Sequence, residues 1–300
     1  MNTSLKGLGT ALITPFNEDM SVDYAALSQL IEKQIDSRHA TATHSGIDYL
    51  VVLGTTGEAA TLTPAEQDEV REFIVRQVAG RVPLVLGVGG NNTAAVISRL
   101  EQLHDTLVTN FAAILSVCPY YNKPSQEGMF QHFTTIAKAS PVPLILYNVP
   151  GRTGVNMLPE TVMRIYNACP DKIIGIKEAS GNVEQITELI DLADGKLLVI
   201  SGDDAIACEL LYAGADGLIS VASNAFPEDF GRMVHEHNMS IQQRYAHIIH
   251  LLFVEGNPSG IKTVLAQMGL ITNHLRLPLV PNSTDTQRII QHALKALSIV

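Results

Sequence analysis

Eight short runs, almost continuous in Val, Ile, Leu and Ala, recur along the 300-residue chain. They are 8–16 (LGTALITPF), 49–54 (YLVVLG), 83–89 (PLVLGVG), 111–121 (FAAILSVCPYY), 143–149 (PLILYNV), 172–180 (KIIGIKEAS), 196–203 (KLLVISGD) and 217–223 (GLISVAS). Runs without polar alternation read as strands buried on both faces, the habit of parallel sheets. Parallel strands need crossover connections. Helices fit the intervals 23–38, 63–80, 92–108, 126–139, 158–168, 182–193 and 204–213. The second interval has the clearest start: Thr63 as N-cap, Pro64 in the first turn and Glu66 three residues after the cap. Eight such units predict a closed (β/α)8 TIM barrel, with an open doubly wound sheet as the alternative. Past residue 227 the strand signal stops. A helical run over 229–253 and two further helices within 259–298 are expected. The expected organisation is a barrel domain over 1–226 with a C-terminal helical extension over 227–300 packed on it.

Composition narrows the function classes. Lys and Arg number 20 against 30 Asp and Glu, a net charge of −10. That balance disfavours nucleic acid and anionic membrane as partners. Trp is absent and aromatics are 5%, so a base-stacking surface is not expected. Cys118, Cys169 and Cys208 show no CxxC spacing and are odd in number, which fits a reducing, cytoplasmic setting without disulfides. The start, MNTSLKGLGTALITPF, does not read as a signal peptide. No apolar run of about 18 residues is present to span a membrane. Neither GxGxxG nor GxxxxGK[ST] occurs, so no nucleotide is indicated.

The polar residues at the strand C-termini are where barrel chemistry gathers. Lys177 follows Ile173, Ile174 and Ile176 directly in an otherwise apolar run. Burial disfavours an ammonium, and a neutral amine attacks carbonyls to form a Schiff base. The alternative is a Lys paired to a carboxylate, but Glu178 as its neighbour on a strand points to the other face. Tyr147, at the next strand end, can shuttle protons. Thr55 and Thr56 in GTTGE can relay protons or bind a carboxylate, or merely cap a tight turn. Arg152 offers a planar fork for a carboxylate. Tyr120 and Tyr121 at a strand end are expected to point in opposite directions, one to a site and one to a subunit contact. Asp203 and Asp204 read as helix-opening residues rather than magnesium ligands. His235, His237, His247 and His250 lie in a helical run without metal-ligand spacing.

Five segments recur in order: GTTGEAATL, CPYYNKPSQEG, LYNVPGRTG, GIKEASG and LISVASN. Together they make the chain resemble the pyruvate-dependent class I aldolases, and within them the 4-hydroxy-tetrahydrodipicolinate (dihydrodipicolinate) synthases. The resemblance implies that Lys177 forms a Schiff base with pyruvate, and that Tyr147, Thr55 and Tyr121 make a proton relay. Tyr121 would be inserted from a neighbouring subunit of a homotetramer built as a dimer of dimers. Thr56 would hold the pyruvate carboxylate, Ile219 would line the pocket through its backbone, and Arg152 would bind L-aspartate 4-semialdehyde. No metal or organic cofactor is implied. Sugar-acid aldolases are the runner-up; they share the Lys and Tyr but lack Arg-Thr-Gly after the Tyr-Asn-x-Pro turn. Where feedback-inhibited relatives carry a small polar residue, histidines and a glutamate, this chain has Ala59, Pro64, Gln67 and Ala95, although Asn91 is kept. Weak or absent lysine inhibition is therefore expected. The stretch 37–49 is longer than usual, with no functional reading.

Overall fold

In the computed structural model, eight parallel strands close into a barrel in chain order. They are β1 (Gly7–Ala11), β2 (Tyr49–Val52), β3 (Leu84–Gly87), β4 (Ala113–Val117), β5 (Leu144–Asn148), β6 (Ile173–Glu178), β7 (Leu198–Ser201) and β8 (Gly217–Ser220). The structure describes residues 5–39 and 46–299, so the centre of the long 37–49 stretch lies outside the described residues. All eight predicted strands exist, but most stop two to five residues early. Their last residues leave the ladder instead, as at the short 3-10 turn Ala222–Asn224 after β8.

The packing resolves two compact units. The first holds residues 83–219 and the N-terminus through Gly7. Its β5–β6 pair has a register shift: Leu144 pairs Ile173 but Ile145 pairs Gly175, leaving Ile174 as an extra residue. Ile174 is half-buried rather than doubly buried as its run suggests. The bulge moves the downstream pairing by one residue, and it is what sets Tyr147 opposite Lys177 and Asn148 opposite Glu178.

The second unit holds 8–82 and 220–300, so the helices after β8 pack with the chain's early segments. Helix Pro64–Val78 has the expected capping box, Thr63 N–H donating to Glu66 at 2.8 Å and Glu66 N–H to the Thr63 hydroxyl at 3.3 Å. At Gly9 the Tyr49 ring fills the side-chain space, with ring atoms 2.3 Å from where a Cβ would stand. The run 229–253 is two helices, Pro227–His235 and Met239–Leu251. His237 turns left-handed (φ 50°) and Asn238 caps the second helix through Ser240 N–H. Ser259–Gln267 and Thr284–Ala296 follow. In the first unit, the helix expected from Asp204 begins only at Ala207, with no side-chain cap; the Asp203 carboxylate accepts from Ala205 N–H in the turn before it.

Candidate active site

In the first unit the two central residues meet. Lys177 is 6% exposed at the end of β6, and its Nζ lies 4.4 Å from the centre of the Tyr147 ring. Tyr147 is buried at the end of β5. Glu178 faces away from the amine as expected. Its carboxylate accepts from Asn148 Nδ2 at 2.9 and 3.2 Å and from Ser180 N–H at 2.8 Å. Burial pushes the Glu178 carboxyl above the usual range, against the pull of these donors. Gly202, after β7, leaves the room the amine occupies: a Cβ there would stand 2.8 Å from Lys177 Cε and 2.7 Å from Ala179 Cβ.

The other sequence-predicted residues of this unit are near strand ends, and most are not on strands. Strand β4 ends at Val117, so alternation does not govern Tyr120 and Tyr121. Tyr121 is left-handed (φ 74°) and 88% exposed, and Tyr120 is also exposed. The Tyr121 N–H reaches Thr153 O at 3.4 Å, tying this loop to the short helix Pro150–Thr153 that carries Arg152. Arg152 is exposed. Ile219 is buried in β8.

In the second unit, Thr55 and Thr56 form a single 3-10 turn, Thr55–Gly57. Thr55 is exposed and Thr56 buried, so the two hydroxyls have different surroundings. The Thr56 Oγ1 accepts from Asn257 Nδ2 at 3.0 Å, which leaves its own proton to donate elsewhere. The next residue but one, Glu58, is left-handed (φ 52°) and buried against the ammonium of Lys262, itself wholly buried. Lys262 also donates to His274 O at 3.0 Å and sits 4.1 Å from the Phe16 ring centre. Burial pushes its amine down to about 8, against the pull of Glu58. Arg276 N–H donates to Glu58 at 3.3 Å, and its guanidinium grips Glu66 at 2.6 and 2.8 Å. Asn257, Lys262 and Gly202 carry no mark in the sequence alone. Two of the three lie far along the chain from the turn they hold, and a glycine that makes room looks like any turn glycine.

A family model described as the dihydrodipicolinate synthetase family matches residues 4–297. The chain is 49% identical to the 4-hydroxy-tetrahydrodipicolinate synthase of Parabacteroides distasonis, over 99% of this chain and 98% of that protein. A chloride-inhibited dihydrodipicolinate synthase from Acinetobacter baumannii, crystallised with pyruvate, superposes with a TM-score of 0.92 at 38% identity, covering 99% of this chain and all of that one. A dihydrodipicolinate synthase variant characterised as monomeric superposes with a TM-score of 0.91 at 35% identity, covering 98% and 97%. By the family match and these identities together, the chain belongs to the dihydrodipicolinate synthetase family.

Proposed function

We propose that this chain condenses pyruvate with L-aspartate 4-semialdehyde to 4-hydroxy-tetrahydrodipicolinate through a Schiff base on Lys177, a lyase of lysine and diaminopimelate synthesis. The observation that carries the reading is a buried amine lying over a tyrosine ring, with its neighbouring carboxylate turned to the opposite face. An amine so placed is desolvated and not quenched by Glu178.

The Lys177 amine attacks the keto carbon of pyruvate, giving a carbinolamine. Loss of water gives a protonated imine. Loss of a methyl proton then gives an enamine, the imine nitrogen having taken up the electron pair. The enamine carbon attacks the aldehyde of the semialdehyde, whose oxygen gains a proton. The substrate amino group adds to the imine carbon, closes the ring and expels the Lys177 amine. Every proton in this sequence needs a carrier, and Tyr147, Thr55 and Tyr121 serve as the relay. Thr56 holds the pyruvate carboxylate, Ile219 lines its pocket through the backbone, and Arg152 takes the carboxylate of the second substrate. The reaction asks for no cofactor. Tyr121 is wide open to solvent in a single chain, which supports its donation to a neighbouring subunit of a homotetramer acting in the cytoplasm. The barrel over 1–226 carries the chemistry, and 227–300 supports it.

Borohydride reduction in the presence of pyruvate tests the reading. A pyruvate-derived mass is expected on Lys177. Lys177→Ala should lose that adduct and about a thousandfold or more of its turnover. A wild-type chain that condenses the two substrates but traps nothing at Lys177 would sink the mechanism.

A further inference from the structure

Directly behind the reactive rung lies a second, buried rung of a different kind. Asn148 and Glu178 follow Tyr147 and Lys177 and pair with each other in the same register. Adjacent strand residues point to opposite faces, so this pair backs the Tyr147–Lys177 pair across the sheet. Both are fully buried. Asn148 Nδ2 donates to Glu178 at 2.9 Å and to Asn156 Oδ1 at 2.8 Å. Asn148 Oδ1 accepts from Met157 N–H at 3.0 Å. Asn156 and Gln185 exchange hydrogen bonds of 2.7 and 3.1 Å. One network therefore spans the end of β5, the end of β6, the segment that follows the Arg152 helix, and helix Val183–Ala193.

We propose that Asn148 and Glu178 are positioning residues for the condensation, fixing both the Lys177–Tyr147 rung and the segment leading away from Arg152. The inference rests on the Schiff-base reading. The donor and acceptor pattern explains why these two residue types are needed. A carboxylate offers acceptors only, and the Asn148 amide gives one proton to it and one to Asn156 while accepting from Met157 N–H with its oxygen. The bulge at Ile174 makes the need sharper. With that residue drawn into the ladder, the register would slip and set Asn148 opposite Lys177, turning the amine to the other face. In the slipped register Glu178 would also lose its amide partner, and a buried carboxylate without donors is strongly disfavoured. The pair thus selects the register in which amine and phenol meet.

Exchanging donor and acceptor across the pair tests this. The quantities read are the rate of pyruvate imine formation by borohydride quench, the KM for the semialdehyde, and the thermal midpoint. N148D places two carboxylates face to face and takes the donor from Asn156. Imine formation should slow about a hundredfold, and KM for the semialdehyde should rise. E178Q keeps the shape and one acceptor, and should slow imine formation about threefold with little change in thermal midpoint. In the double variant N148D/E178Q the amide and the carboxylate trade strands. The donor then stands on β6 and the acceptor on β5, and the rate should return to within about tenfold of wild type. A purely structural role would lower the thermal midpoint and leave the trapping rate per folded molecule unchanged, and that result overturns the proposal. So does a double variant no faster than N148D. Should N148D fail to fold, E178Q at the wild-type trapping rate would overturn it alone. A wild-type chain that traps no pyruvate at Lys177 would instead break the reading underneath.

Discussion

Two buried carboxylates follow the candidate site segments of this chain, and they are satisfied in opposite ways. Glu178, in the unit of residues 83–219, is held by neutral donors: an amide side chain and a backbone N–H. Glu58, in the unit of 8–82 and 220–300, is held by the ammonium of Lys262 and a backbone N–H of Arg276. Amide donors fix direction without adding charge. An ammonium beside Glu178 would set a cation close to the protonated imine proposed to form on Lys177 and disfavour it, whereas Lys262 holds only a turn of hydroxyls. Each segment thus has the anchor its chemistry tolerates.

The largest effect should come from separating the two anchors by charge. Lys262→Met leaves the Glu58 carboxylate buried without its cation, which should cost about 3–5 kcal/mol in urea unfolding. Pairing it with Glu58→Gln removes the stranded charge and should restore most of the loss. Removing the neutral anchor by Asn148→Ala should cost less, about 1–3 kcal/mol. If Lys262→Met and Asn148→Ala cost the same, and Glu58→Gln gives no rescue, the distinction between the anchors fails.

The same two segments differ in how far they can be read from residues alone. Lys177 is legible because a charge inside an apolar run has to be explained, and Glu178 pointing away follows from strand alternation. The capping box at Thr63 and Glu66 is legible because its partners are three residues apart. The Glu58–Lys262 pair is not, since nothing local marks two ends of a long-range contact. The Ile174 bulge is equally hidden, because an extra Ile in a run of Ile changes no pattern, yet it sets the register of the amine. The run 229–253 reads as one helix because Asn238 sits among good helix formers while serving as a cap. The strands read too long at their ends because small apolar residues such as Ala222 suit a turn as well as a strand.

The two units should also fail in different acid windows. His132, in the first, is buried with Nδ1 against the Thr93 hydroxyl at 2.8 Å, and Nε2 has no hydrogen-bond partner among the described residues. Burial pushes it down to about 4 from a usual 6.5. Between these values the unfolded chain binds the proton and the folded chain does not, so stability falls as pH drops from about 6.5 to 4. Glu66, in the second unit, is held at about 2 by Arg276 and Thr63, below its usual 4.5. Its contribution is present above 4.5 and is lost as pH falls through that range toward 2. His132→Gln should flatten the upper part of the stability–pH curve, and Glu66→Gln the lower part. One variant flattening both would show that the windows do not belong to separate groups.

The smallest expected effect is no effect. Gln67, one of the positions at which the resemblance implies a departure from feedback-inhibited synthases, has its side chain engaged. Its Nε2 donates to Ala59 O at 2.9 Å and Leu62 O at 3.3 Å, closing the turn that Glu58 begins. Ala59 and Ala95 offer no side-chain polar group at all. Asn91 remains, but its side-chain amide is spent on Tyr120 O at 3.1 Å while its backbone carbonyl accepts from Asn122 Nδ2 at 2.9 Å. A free lysine would have to break these bonds to reach the amide, with no new carboxylate to meet its ammonium at position 95. Added L-lysine at concentrations that saturate an inhibited relative should therefore leave the steady-state rate within about twofold of its value without lysine. Strong inhibition would mean that the Asn91–Asn122 loop opens to bind, and it should then be abolished by Asn91→Ala while Gln67→Ala leaves it intact.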